Sequence, residues 1–233
     1  MKKREKKVLA FLMAAAMTVS GLSGFGAREA KADESDFVSV GQNVLLGKTA
    51  IASSVANNAG PELAVDGVKD QPQQWNSADM KGSAIRDDGS QTPQWILIDR
   101  GEDAQPADIT SIKLWWNVKV WATEYQILTS DTSDLTANPA DTEIPEEELA
   151  EWTTIAEVDR EGSGAGNGWV TNTGDQDIAD NAANTDTITA SSKPALAEGA
   201  QALRYVLVYF TEVNPQAGGH NVNPRELERF DDS

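Results

Sequence analysis

The sequence predicts an all-β protein built as a β-sandwich. Three features carry that expectation. Apolar, β-branched and aromatic residues gather in short runs, clusters of Gly, Asn, Asp and Pro separate the runs, and only one short segment has helical character. Gln94–Asp99 is a compact apolar run closed by Arg100-Gly101. Ile109–Trp116 alternates Ile112 and Leu114 against Lys113 and ends on two tryptophans. Tyr125–Thr129 follows after a short connection, and Trp152–Val158 alternates loosely. Thr185–Thr189 is a weaker strand, Leu203–Phe210 a strong one, and Leu227–Phe230 a short final one. The helical segment is Pro145–Glu151, where Pro opens the first turn and glutamates near the N-terminal end favour the helix dipole. Residues Asp159–Asp186 are rich in Gly, Asn and Asp and unpatterned, which reads as a long surface loop. No internal repeat is visible.

Composition narrows the function. The 233 residues contain no Cys and one His. That excludes disulfides, thiolate metal sites, a cysteine nucleophile and a multi-histidine metal site. The formal net charge is −18, which disfavours nucleic acid and anionic membranes. Residues 1–32 read as a secretory signal. Five basic groups fill the first seven positions, an apolar run covers Val8–Val19, and Ala30-Lys31-Ala32 offers a cleavage site. The run is shorter than the roughly 20 residues of a membrane span. With seven of the 19 basic and two of the 37 acidic residues removed, the mature chain has 12 and 35, a net of −23. The expectation is a secreted protein, Gram-positive in style, with no membrane span after cleavage and with further domains of the same polypeptide open. No G-x-S-x-G is present, and Glu146-Glu147-Glu148 reads as a solvated helix face, so no catalytic residues are expected.

Five segments, in order across about residues 43–230, resemble the discoidin family. They are Ala64-Val65-Asp66-Gly67 with Trp75-Asn76-Ser77, then Gln94–Gly101, Trp121–Ile127 with Ser130, Arg204–Leu207, and Arg225–Glu228. This family includes coagulation factor 5/8 C-terminal domains and, closest here, bacterial family 32 carbohydrate-binding modules. The resemblance implies a galactose-binding-like jelly-roll β-sandwich over 43–231, with 33–42 as linker. Arg100 departs from the family, where Leu is usual. Insertions fall at Gln71–Gln74, Leu135–Glu151 and Asp159–Asp186.

The resemblance also implies a structural calcium. Its matching positions are the side chains of Asp66 and Glu226 and the carbonyls of Leu63, Val68 and Arg225, with Gln71 or Asp70 in place of a family Thr or Ser. Calcium takes about six to eight oxygen ligands, which a tight Asp-Gly turn helps to converge. The alternative is an ordinary Asp-Gly turn and a surface Glu. Glycans, galactose-type among them, are the implied ligands, and the family places them on loops at one end of the sandwich. Those loops offer Arg86, Asn117, Lys119, Trp121, His220 and Asn221, with Trp116 as a stacking platform. Trp75 and Trp95 match buried family positions. Adjacent Trp115 and Trp116 must face opposite sides, so one of them is core. His220 reads either as a ligand contact or as a solvated loop residue, and Trp169 has no assigned role. The competing reading is an adhesion domain without sugar specificity. Phospholipid binding ranks third, because the charge opposes it unless calcium bridges.

Overall fold

The computed structural model describes residues 42–69, 74–78, 92–117, 121–159, 185–213 and 221–231. All of them lie in one unit spanning Ser39–Ser233. The nine described strands are β1 (Thr49–Ala52), β2 (Gln94–Asp99), β3 (Ala107–Trp116), β4 (Ala122–Ser130), β5 (Thr153–Asp159), β6 (Thr185–Thr189), β7 (Gln201–Ala202), β8 (Tyr205–Val213) and β9 (Pro224–Asp231). A single-turn helix, α1 (Glu146–Leu149), precedes β5, and a 3-10 turn covers Pro61–Ala64. One antiparallel sheet runs β1-β2-β8-β4-β5. The second is centred on β3, which pairs antiparallel with β6, β7 and β9. The two sheets pack face to face as a β-sandwich, the expected fold class.

The five-stranded sheet is buried on both faces, which explains the unbroken apolar run in β2. Ile96 and Ile98 point into the core between the sheets, with Tyr125, Ile127, Val206, Val208 and Phe210. Trp95 and Leu97 point outward with Leu128, Leu207 and Tyr209. The segment between β4 and β5 covers that outer face with Leu135, Ile144, Leu149 and Trp152. An insertion relative to the resembled family therefore completes a second small core. Glu146 and Glu147 of α1 are exposed, as a solvated face requires. The sequence did not suggest β1 or β7, and both are short edge elements with little apolar pattern.

In the second sheet, Ile112, Leu114 and Trp116 of β3 face the core, while Trp115 lies on the opposite face. Trp116 is 1 % exposed and packs edge-on against Tyr125 and Phe210. Its Nε1 donates to Asp186 Oδ2 at 2.8 Å, and the Tyr125 hydroxyl donates to the same oxygen at 2.7 Å. This buried carboxylate gives two core donors a shared acceptor. Trp75 is fully buried against Phe210 and donates to the Ser54 carbonyl at 3.0 Å.

The resembled segments meet one another in space. Asp99 closes β2 and accepts a bidentate bond from Arg204 at 2.9 Å on each oxygen. The Arg204 guanidinium holds the Asp99 carboxyl below its usual range. Arg100, the departure from the family, donates from Nη1 to the carbonyls of Gln105, Ala202 and Leu203. It ties the end of β2 to the corner leading into β8, a task no leucine performs.

Replacing Asp186 by Ala leaves the Trp116 and Tyr125 donors without this acceptor. The expected loss is about 2–4 kcal/mol, read as a lower urea midpoint at unchanged slope.

Candidate functional site

Two groups of residues converge at neighbouring places in the fold. The first is at one end of the sandwich, where loop stems meet. Ser77 N–H donates to the Val222 carbonyl at 3.1 Å, and Val222 N–H donates to Ser77 Oγ at 2.8 Å. Asn117 N–H donates to the Asn223 carbonyl at 3.1 Å, and Ala122 faces Val213 across β4 and β8. The stems of the three loops expected to hold a ligand are thus brought together. They carry planar amides: the half-buried Gln74, Asn76, Asn117 and Asn221 and the buried Asn223. Gln74 Nε2 donates to Asn76 Oδ1 at 2.9 Å. The buried oxygens Gln74 Oε1 and Asn223 Oδ1 have no hydrogen-bond partner among the described residues. Arg86, Lys119 and His220 lie outside the described residues, as does Trp169.

Two of the expected ligand contacts require correction. Trp116 and Trp121 are 1 % and 3 % exposed, and both belong to the core between the sheets. Neither offers an open ring face for stacking a sugar, because burial of so large an apolar ring stabilises the fold. Trp115 takes the outward position. It is half-buried, with the Lys69 ammonium 4.3 Å from its ring centroid and its Nε1 donating to Glu228 at 2.6 Å.

The second group is the expected cation site. Asp66-Gly67 forms a tight turn in which Val68 N–H donates to Asp66 Oδ1 at 2.8 Å. Gly67 has φ +84°, which favours glycine, and a Cβ there would approach the exposed Leu46 Cδ1 to 2.9 Å, a contact that side chain can relieve. Its N–H donates to Glu226 Oε2 at 3.0 Å, and Asn43 Nδ2 donates to Glu226 Oε1 at 3.3 Å. The turn and the final strand are therefore joined by the Gly67–Glu226 hydrogen bond, and Glu226 is fully buried rather than a surface residue. The register of β9 on β3 skips between Glu226, opposite Trp115, and Pro224, opposite Trp116. The bulge falls at Arg225, and bulges re-aim backbone groups at sheet ends. Arg225 Nη1 donates to the Lys69 carbonyl at 3.2 Å, which ties the 66–69 loop to β9.

The charge balance around Glu226 fits a cation. Its two donors, Asn43 Nδ2 and Gly67 N–H, are neutral, and it makes no ion pair with a described residue. The Lys69 ammonium is committed to Glu228 at 3.0 Å. Burial, with the Asp66 and Glu228 carboxylates adding to it, pushes the Glu226 carboxyl up to about 8. Two carboxylates, Asp66 and Glu226, share one neighbourhood, and a hard cation prefers such an oxygen set. Among the described residues no group of three or more acidic or histidine side chains is assembled. The carbonyls of Leu63, Val68 and Arg225 belong to the same expected ligand set and flank Asp66 and Glu226 in the chain. Gln71 and Asp70 lie outside the described residues. Sequence reasoning missed Asn43 and Asn223. Only long-range pairing reveals them.

No protein-family model matches the chain, and no curated protein matches it. Solved structures do align with it. Chitosan-binding module 1 from the chitosanase/glucanase of Paenibacillus sp. IK-5 is 23% identical, covers 81% of this chain and 98% of its own, and has a TM-score of 0.47. Module 2 of that enzyme, in complex with chitotriose, is 25% identical over 81% of this chain and 99% of its own, with a TM-score of 0.47. An F-lectin from striped bass, Morone saxatilis, is 14% identical over 82% of this chain and 49% of its own, with a TM-score of 0.48. At these scores the fold assignment stands on the strand pairing itself.

Two outcomes follow for the site. Gly67→Ala forces a strained positive φ and is expected to cost about 1–2 kcal/mol, measured by urea unfolding. In cation-free buffer, folded Glu226 keeps its proton to about pH 8 while the unfolded chain releases it near the ordinary carboxylate range. The melting temperature without cation therefore falls as pH rises from about 5 to 8 and levels off above. Glu226→Gln flattens that slope.

Proposed function

We propose that this chain is a secreted, non-catalytic glycan-binding module of the discoidin type, closest to family 32 carbohydrate-binding modules. The observation that carries the reading is the convergence of loop stems bearing five planar amides at one end of a rigid sandwich. Amides pair a donor with an acceptor and so match sugar hydroxyls, which are both. A strongly acidic surface repels anionic polymers and leaves neutral glycans as partners. The described residues contain no helix long and apolar enough to cross a membrane. Export after cleavage near Ala32, and attachment to further domains, complete this reading.

A structural calcium belongs to the same proposal. Glu226, Asp66 and the carbonyls of Leu63, Val68 and Arg225 would hold it, and the ion would supply the positive charge that the buried carboxylate lacks. Calcium binds the ionised form of Glu226, so its affinity rises with pH up to about 8.

The test is a glycan array with and without calcium, with galactose-type sugars included. Binding that His220→Ala, Asn117→Ala or Asn221→Ala weakens at least tenfold supports the module. Silence across neutral glycans, with retained adhesion to cells or proteins, favours the adhesion reading. For the ion, a chelator is expected to lower the melting temperature by several degrees, and Asp66→Ala to abolish that difference. Identical melting with calcium and with chelator removes the calcium.

A further inference from the structure

We propose that Asn43 is the positioning residue of the cation site, orienting Glu226 from the opposite end of the domain. This inference rests on the calcium reading above. Asn43 lies 183 residues before Glu226, ahead of β1, and no motif marks it. Its side chain is nevertheless fully committed. Oδ1 accepts the Leu45 N–H at 3.1 Å and the Arg229 N–H at 3.1 Å. Two backbone donors on one oxygen fix which end of the amide is the carbonyl, so Nδ2 must face Glu226 Oε1, at 3.3 Å. The Val44 N–H donates to the Arg229 carbonyl at 3.0 Å, which holds the segment against β9.

The geometry divides the labour at Glu226. Gly67 N–H binds Oε2 and Asn43 Nδ2 binds Oε1, so each oxygen receives one neutral donor from a different stretch of chain. Each oxygen keeps lone-pair capacity for a metal ion. A lysine or arginine at 43 would cancel the charge the cation needs. An apolar side chain would leave the carboxylate held by the Gly67 N–H alone. A neutral amide locked by the main chain does neither. Partners that orient a metal ligand typically govern about 10–100-fold in metal affinity.

The test is calorimetric calcium titration of the full chain for the unchanged protein, Asn43→Ala, Glu226→Asp and the double variant. Asn43→Ala is expected to weaken calcium about 10–100-fold. Glu226→Asp keeps the charge but withdraws the carboxylate by one methylene from Asn43. In that background Asn43→Ala should cost no further affinity. Its effect on cation-free melting should persist in the Glu226→Asp background, because the bonds to Leu45 and Arg229 are lost in both. Asn43→Ser retains a local acceptor for the Leu45 N–H and is too short to reach Glu226. It should weaken calcium similarly, and it serves if the alanine variant does not fold. Unchanged affinity in a folded Asn43 variant overturns the inference. So does an equal affinity loss in both Glu226 backgrounds, which marks a general structural role. If the unchanged chain binds no calcium, the cation reading fails and this inference with it. If it binds calcium but Asn43 variants bind equally well, only this inference fails.

Discussion

Glu226 is the point on which the two ends of the chain and the Asp-Gly turn depend. Its buried carboxylate accepts from Asn43, near the start of the domain, and from Gly67, in the 66–69 turn. Its own strand, β9, pairs with the central β3. An ionised carboxylate in that setting is expensive, since desolvation opposes charge and neutral donors repay only part of it. The neighbouring cation, Lys69, is drawn instead to Glu228 and the Trp115 ring. Three distant segments have thus been spent on stabilising one group that ordinary packing would avoid. Such an arrangement makes physical sense when something positive completes it.

The sandwich gives that point a rigid frame. The five-stranded sheet is sealed on both faces, inward by Ile96, Ile98 and Phe210, and outward by Trp95, Leu97 and the β4–β5 segment. The second sheet is anchored by the Asp186 carboxylate joining Trp116 and Tyr125. Disulfides are impossible in a chain without cysteine. Polar ties between remote segments take that place: Asp99 with Arg204, Arg100 with the Leu203 corner, and Asn43 with β9.

Much of the fold was legible because its signals are local. The Trp95-Ile96-Leu97-Ile98 run, the alternation of Ile112 and Leu114, and the Tyr205–Phe210 run each record their own burial. β1, with only Ala52 buried, and the two-residue β7 carry too little pattern to register. Adjacent tryptophans 115 and 116 had to split between faces, but which one entered the core depends on the register with β9. The candidate site was legible in part. Asp66-Gly67 and Glu226 came from motif resemblance, and the Gly67 N–H meets the Glu226 carboxylate. Trp121 could not be separated from an exposed ring, because a tryptophan beside a loop reads the same whether it stacks on core or on ligand. Asn43 was invisible, since its role exists only after β9 has docked.

The two candidate sites adjoin along one stretch of chain, and this would give the proposed ion a reach beyond stability. Asn221–Asn223 lead without interruption into Pro224, the bulge at Arg225, and Glu226. Trp75 N–H holds the Pro224 carbonyl at 3.1 Å, and Asn117 N–H holds that of Asn223 at 3.1 Å. A displacement of Glu226 must therefore be absorbed within a few residues that are already bonded on both sides. Bulged backbone is the most adjustable part of that stretch, so Arg225 is where such a displacement would be taken up. A cation bound between Asp66 and Glu226 would fix the bulge and, through it, the spacing of the amides at 117, 221 and 223. Pre-organised polar groups bind with a smaller ordering cost. The proposed ion would thus act on glycan recognition without touching the sugar, by holding still the segment that leads from Asn221 into β9.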